Sequence, residues 1–122
     1  MPTVTKSPER YAGKVVGSGH CVPFTREVTG LPPTSYWRQG VPALDAEPGC
    51  AIATFDPDGR YGNHTDGRSH AAILIEKTAD GLRVWDQWIG QPVHERVIRN
   101  RKGAGHAVND SSRYYVIELA DV

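Results

Sequence analysis

The stretch Ser69-His70-Ala71-Ala72-Ile73-Leu74-Ile75-Glu76-Lys77-Thr78-Ala79-Asp80-Gly81-Leu82-Arg83-Val84-Trp85-Asp86-Gln87-Trp88 decides the fold. Ala71 to Glu76 and Leu82 to Trp88 are runs of strand length, rich in β-branched and aromatic residues. The polar segment Lys77 to Gly81 between them supplies a turn, so the reading is strand, turn, strand. Alternation puts His70, Ala72 and Leu74 on one face of the first strand, and Val84, Asp86 and Trp88 on one face of the second. Their register stays open. A two-residue Asp80-Gly81 hairpin would set His70 opposite Gln91, whereas levelling it with Asp86 needs a turn centred on Thr78, hence a longer loop or a bulge.

Working outward, Val93 to Ile98 and Arg113 to Leu119 read as two further strands. Upstream, Cys50 to Phe55 is a short apolar run ended by Asp56-Pro57-Asp58-Gly59, a strand and its turn. Residues 56–69 are polar, glycine-rich and aperiodic, and long structureless loops in small domains are usually functional. In the first third, Gly17-Ser18-Gly19 precedes a helix that begins near Cys21. Pro23 fits its first turn, Val22, Phe24 and Val28 give apolar points, and Gly30 stops it. Pro32-Pro33-Thr34-Ser35 then suggests a short second helix over Tyr36-Trp37-Arg38-Gln39, closed by Gly40. Residues 41–49 read as a loop, and residues 1–9 as a loose arm. Helices followed by about five strands in a meander describe a single α+β domain over 1–122, with helices packed on an antiparallel sheet.

The chain has 122 residues, enough for one core without staples. Fourteen Lys and Arg against fourteen Asp and Glu leave no net charge, which argues against nucleic acid and against a polybasic membrane patch. The hydrophobic share of 39% is below the usual ~45–50%. That benchmark counts glycine, so disorder is not implied. Thirteen glycines and nine prolines point to a loop-rich fold. Two cysteines are too few for a disulfide scaffold or an all-cysteine zinc site. No run approaches a membrane span, no glycine-rich phosphate motif opens a helix, and no apolar signal segment is visible near Met1. The sequence is therefore expected to be made in a cytoplasm, with no membrane insertion.

Three residues carry chemistry. Cys21 follows a glycine-rich turn at the start of a helix, where unpaired N–H groups and the positive dipole end favour thiolate and can hold an oxyanion. His70 stands at the mouth of an apolar strand, where a base can be held rigidly beside a thiol. Asp86 is a carboxylate in an aromatic-rich strand, costly unless paired, and an imidazole on the neighbouring strand would pair it. Each alone has a plainer explanation: a buried inert cysteine, a structural histidine, a satisfied carboxylate.

Together, in the order Cys, His, Asp, they resemble the papain-like cell-wall amidases of the NlpC and CHAP groups. The motifs are Gly17-Ser18-Gly19-His20-Cys21-Val22, the Gly49 to Phe55 strand, Ser69-His70-Ala71-Ala72 and Trp85-Asp86-Gln87-Trp88. The combination is most similar to the small amidase effectors that bacteria inject into rivals through type VI secretion. It spans about Tyr11 to Leu119. The resemblance implies hydrolysis of an amide in peptidoglycan stem peptides or crosslinks, with Cys21 as nucleophile, His70 as base and acid, and Asp86 as orienting group. It implies neither metal nor cofactor. As partners it implies the peptidoglycan peptide, a cognate immunity protein and type VI secretion components, with delivery to the periplasm of a target bacterium. One departure is that the position six residues before the cysteine, where papain has a side-chain amide for the oxyanion hole, is Val15. Tyr11 is the candidate to replace it.

Other residues are open to two readings. Trp37, Trp88 and Tyr36 are candidates to wall a substrate groove, or to pack the core. Arg68, Ser69 and Gln87 could bind polar groups of the stem peptide, or be solvated. His94 and His106 are alternatives to Asp86 as third partner. Cys50 could pair with Cys21, but opens an apolar strand where cysteine is commonly buried. His64, Asp66 and His70 match no strong metal motif. The basic run Arg96 to Lys102 reads as a solvated strand end. The rival to a thiol amidase is a catalytically silent module that binds cell-wall peptide or protein; a further variant keeps the thiol chemistry on a protein amide or in acyl transfer.

Overall fold

The computed structural model describes residues 4 and 6–120. Among these, one α-helix, α1 (Cys21–Thr29), precedes six strands that form a single antiparallel sheet. The strands are β1 (Trp37–Pro42), β2 (Ala51–Thr54), β3 (Ala71–Lys77), β4 (Gly81–Trp88), β5 (Gln91–Arg99) and β6 (Tyr114–Leu119). Their spatial order is β1-β6-β2-β3-β4-β5. The expected α+β class with an antiparallel sheet therefore holds, with two corrections. First, Trp37 to Gln39 is strand, not helix. Only Thr34–Tyr36 makes a 3-10 turn, after which Trp37 pairs with Leu119 and Gln39 with Ile117. Burying the Trp37 ring against the sheet outweighs the local helix signal of the preceding Pro-Pro-Thr-Ser. Second, the meander runs only from β2 to β5, because β6 returns to lie between β1 and β2.

The start of the chain is tied down as well. Val4 N–H donates to Gly49 O and Lys6 N–H to Val28 O. The expected loose arm is thus docked from Val4 and Lys6 onward, while residues 1–3 and 5 lie outside the described set.

The sheet buries both faces, and alternation sorts them. Toward α1 it presents mostly small residues, Ala51, Ala53, Ala71 and Ile73, against which Phe24 and Val28 pack without exposure. Small strand residues let the helix approach closely, and each such buried side chain contributes about 1.5–3 kcal/mol. The other face is bulkier, with Ile52, Leu74, Val84, Val116 and Tyr114, and is covered by Ala43, Ala46 and the 3-10 turns that precede β6. Cys50 belongs to that face and Cys21 to the helix side, and no disulfide joins them.

The hairpin of β3 and β4 resolves the open register. Thr78 and Gly81 bond each other's backbone around Ala79-Asp80, and Lys77 pairs with Leu82 and Glu76 with Arg83. One extra residue, Ile75, then shifts the ladder, so that Leu74 meets Val84 and Ile73 meets Trp85. Carried back, this register sets His70 level with Trp88 and puts Asp86 two residues along on the same face. The bulge that the sequence left as one alternative is present.

Candidate active site

Cys21 is the first residue of α1, and the turn that delivers it is built on glycine. Gly17 has φ +57°, and a Cβ there would sit 2.8 Å from Pro23 Cβ, so a side chain would push the helix away. Gln87, fully buried on β4, latches the same loop. Its Oε1 accepts from Val16 N–H at 2.9 Å, and its amide donates to Val16 O at 2.8 Å and His20 O at 2.7 Å. His20, the residue before the helix, makes no side-chain cap. With Val22 and Pro23 following, the first turn carries no acid, so its N–H groups face no carboxylate of their own.

His70 precedes β3 and is pinned to the end of β2. Its N–H donates to Thr54 Oγ1, and its carbonyl accepts from Thr54 N–H, both at 3.0 Å. Its Nε2 lies 2.7 Å from Asp86 Oδ2. An ionised carboxylate only accepts, so Nε2 carries the proton and Nδ1 is left for the Cys21 thiol. Asp86 is fully buried and shares the same oxygen with Arg96 Nε at 2.6 Å. His94 Nδ1 stands 3.7 Å from the other oxygen, beyond hydrogen-bond reach. The expected solvated basic run thus begins with a residue that is not solvated: Arg96 turns inward because a buried carboxylate needs the charge.

These contacts set the protonation states. Burial pushes the Cys21 thiol up, but the hydrogen bond and charge of His70, the Ala71 N–H and the Tyr61 hydroxyl outweigh it, and the thiol falls below its ordinary value. Burial works against charge on His70 too, yet Asp86 and Cys21 raise it to about 9. Asp86 is held below the usual carboxylate range by His70 and Arg96, against its own burial. At neutral pH the arrangement favours thiolate beside imidazolium, the state a thiol nucleophile requires.

Cys21 and His70 line a cleft of about 800 Å³, and Asp86 lies buried behind the histidine. Of the expected substrate contacts, Ser69 and Trp88 line it. Trp88 is half-exposed, edge-on to His70 and beneath the Arg96 guanidinium at 5.0 Å. The others lie elsewhere. Tyr11 packs edge-on against Phe24, with its hydroxyl on Glu27. Trp37 is buried in the core, its indole N–H donating to Pro32 O. Arg68 is exposed and paired with Asp66. Gln87 is spent on the backbone of residues 16 and 20. Tyr36 is exposed and His106 packs at Gly67, neither on the cleft wall. His64, Asp66 and His70 do not converge, since each bonds a different partner.

Sequence reasoning missed Tyr61 and the Asp56–His64 pair. Tyr61 is buried behind the cleft between Trp37 and Phe55, with its hydroxyl 3.7 Å from Cys21 Sγ. Burial, then the neighbouring thiolate charge, pushes that hydroxyl up, so it stays protonated and able to donate. The available signal was its place in the aperiodic loop that also delivers His70.

A helix with cysteine at its first residue, packed on an antiparallel sheet that supplies histidine and aspartate, defines the papain-like class. Within it, the chain belongs to the domesticated amidase effector 2 family, which residues 2–117 match. Domesticated amidase effector 2 of Ixodes scapularis is 39% identical over 70 residues, a stretch that is 57% of this chain and 44% of that protein. The fold is similar to that of the solved type 6 secretion amidase effector 2 (Tae2), with a TM-score of 0.74, 31% identity, and coverage of 88% of this chain and 86% of that one. The resemblance to amidase effectors, first carried by short motifs, therefore extends over nearly the whole chain.

Proposed function

We propose that this protein is a cysteine hydrolase that cleaves an amide bond in peptidoglycan stem peptides or crosslinks, and that it acts as an antibacterial effector. One observation carries the reading: a thiol lowered by His70, which Asp86 holds, at a helix N-terminus on an open cleft. Family membership and the names of its relatives support the amide and the effector role.

The Cys21 thiolate attacks the amide carbonyl, forming an S–C bond and a tetrahedral oxyanion. The Cys21 N–H and the Tyr61 hydroxyl stabilise that oxyanion. The imidazolium of His70 protonates the leaving nitrogen, the C–N bond breaks, and a thioester remains. His70 then takes a proton from water, the hydroxide attacks the thioester, and the carboxylic acid leaves as Cys21 recovers its charge. Asp86 keeps the imidazole in the tautomer that both steps need.

Purified protein should release new muropeptides from sacculi, identified by mass spectrometry, and Cys21→Ala and His70→Ala should each abolish the release. Full activity in Cys21→Ala would end the proposal. An effector of this kind needs a cognate immunity protein that plugs the cleft. A protein encoded beside it should shield Cys21 from iodoacetamide, and unchanged labelling would count against that partner.

A further inference from the structure

Beside the reacting groups the cleft wall carries a second His–Asp pair, which the hydrolytic steps do not use. His64 Nε2 lies 2.9 Å from Asp56 Oδ2, with both side chains about a quarter exposed. The pair is built into the loop. Asn63 turns through a left-handed conformation at φ +53°, His64 N–H donates to Ser69 Oγ at 2.8 Å, and Asp56 N–H donates to Arg60 O at 2.9 Å. Gly62 makes room: a Cβ there would stand 2.1 Å from Asp56 Oδ2 and 2.3 Å from His64 Nε2. Any other residue at 62 would displace the pair.

The charges of the cleft single this pair out. Cys21 and His70 cancel as thiolate and imidazolium, and Asp86 is matched by Arg96. Arg68 is engaged by Asp66. Among the described residues Asp56 has His64 as its hydrogen-bond partner, and the cation that feels its charge, Arg68, is bonded to Asp66. A carboxylate accepts, so Nε2 carries the ring proton, and in the neutral imidazole Nδ1 keeps a lone pair. The pair then carries one negative charge and an unused acceptor nitrogen, on a residue that lines the cleft together with Cys21 and Tyr61.

We propose that His64 and Asp56 form a recognition subsite for a primary ammonium on the substrate, close to the scissile amide. The ammonium donates to Nδ1 of His64, and the Asp56 carboxylate balances its charge. As an assignment of substrate class this rests on the peptide-amidase reading; as a statement about binding it does not.

The test compares one muropeptide carrying a free amine with the same muropeptide after N-acetylation. With the native protein, kcat/KM for the free amine should be higher by about tenfold, the contribution of one partly exposed charge-assisted contact. Asp56→Asn should erase that preference through KM while leaving the acetylated peptide unaffected, and His64→Gln should do likewise. In parallel, Cys21→Ala alone should bind the free-amine peptide about tenfold more tightly in calorimetry. Equal Kd values for the two peptides overturn the proposal, whatever the hydrolysis assay shows. Equal loss on both peptides in Asp56→Asn also overturns it, since that marks a structural role. Absent hydrolysis with a retained Kd difference refutes the amidase reading and leaves the subsite standing.

Discussion

His70–Asp86 and His64–Asp56 are the same two residue types at nearly the same distance, 2.7 and 2.9 Å. They differ in what surrounds them. The first pair is 7% and 0% exposed and is held at strand ends, with Arg96 sharing the carboxylate. The second is 28% and 27% exposed and rides on a loop. Burial makes each contact in the first pair indispensable, because a buried charge cannot turn to water. The second pair is free to exchange partners with solvent or ligand. One pair suits proton management, the other recognition, and the distance between the atoms does not separate them.

That contrast can be broken or sharpened by experiment. Asp86→Asn should lower kcat by about 10²–10⁴ by removing the group that fixes the His70 tautomer. A loss of similar size in Asp56→Asn on an uncharged peptide would erase the distinction. Tyr61→Phe should cost about 10²–10³ in kcat with little change in KM, the signature of a lost oxyanion donor; an unchanged kcat removes Tyr61 from the mechanism. Gln87→Ala unlatches the loop before Cys21 and should cost about 10²-fold in rate, together with about 1–3 kcal/mol in urea unfolding. A stability loss at unaltered kcat would separate the latch from the chemistry.

Proton linkage gives a smaller effect. The raised value of His70 contributes stability that is fully present below about pH 6.5 and lost as pH climbs towards about 9. The lowered value of Cys21 contributes stability present above the thiol's ordinary 9.0 and lost as pH falls through its folded value. Where the folded chain holds thiolate and imidazolium and the unfolded chain holds neither, the two proton counts match and the pair adds no slope. Cys21→Ala removes the thiolate and leaves His70 raised by Asp86 alone, so its thermal midpoint should fall relative to the native chain as pH rises above about 6.5. Parallel profiles would argue against the ion pair. Smallest of all, Asp56→Asn should change unfolding free energy by less than about 1 kcal/mol, as for other partly exposed pairs.

Much of this was legible from residue patterns. The five strands from Cys50 onward, the helix at Cys21 and the Cys–His–Asp set all carry local signals: periodicity, a glycine turn, and a carboxylate where an apolar residue belongs. What escaped was decided by distant partners. Trp37 reads as helix by its neighbours and becomes strand because β6, about 80 residues later, offers it an edge. The inward turn of Arg96 depends on a carboxylate one strand away. Tyr61 and His64 sit in a loop without a period, where no pattern says which side chains turn toward a cleft.

The extra residue at Ile75 has a consequence for how the chain tolerates change in length. Side chains alternate, so His70 and Asp86 share a face only at the right parity of pairing, and the bulge is the one spare residue that adjusts it. Deleting Ile75 removes the bulge and leaves Glu76 opposite Arg83 and Leu74 opposite Val84, so Asp86 stays on the face of His70. A second deletion in β3 has no spare residue to absorb it and would send Asp86 to the opposite side of the sheet. A deletion series through residues 75–77, scored by iodoacetamide reactivity of Cys21, should therefore keep that reactivity at the first step and lose it at the second. Loss at the first step would mean that the bend of the bulge, and not only the pairing it permits, is needed.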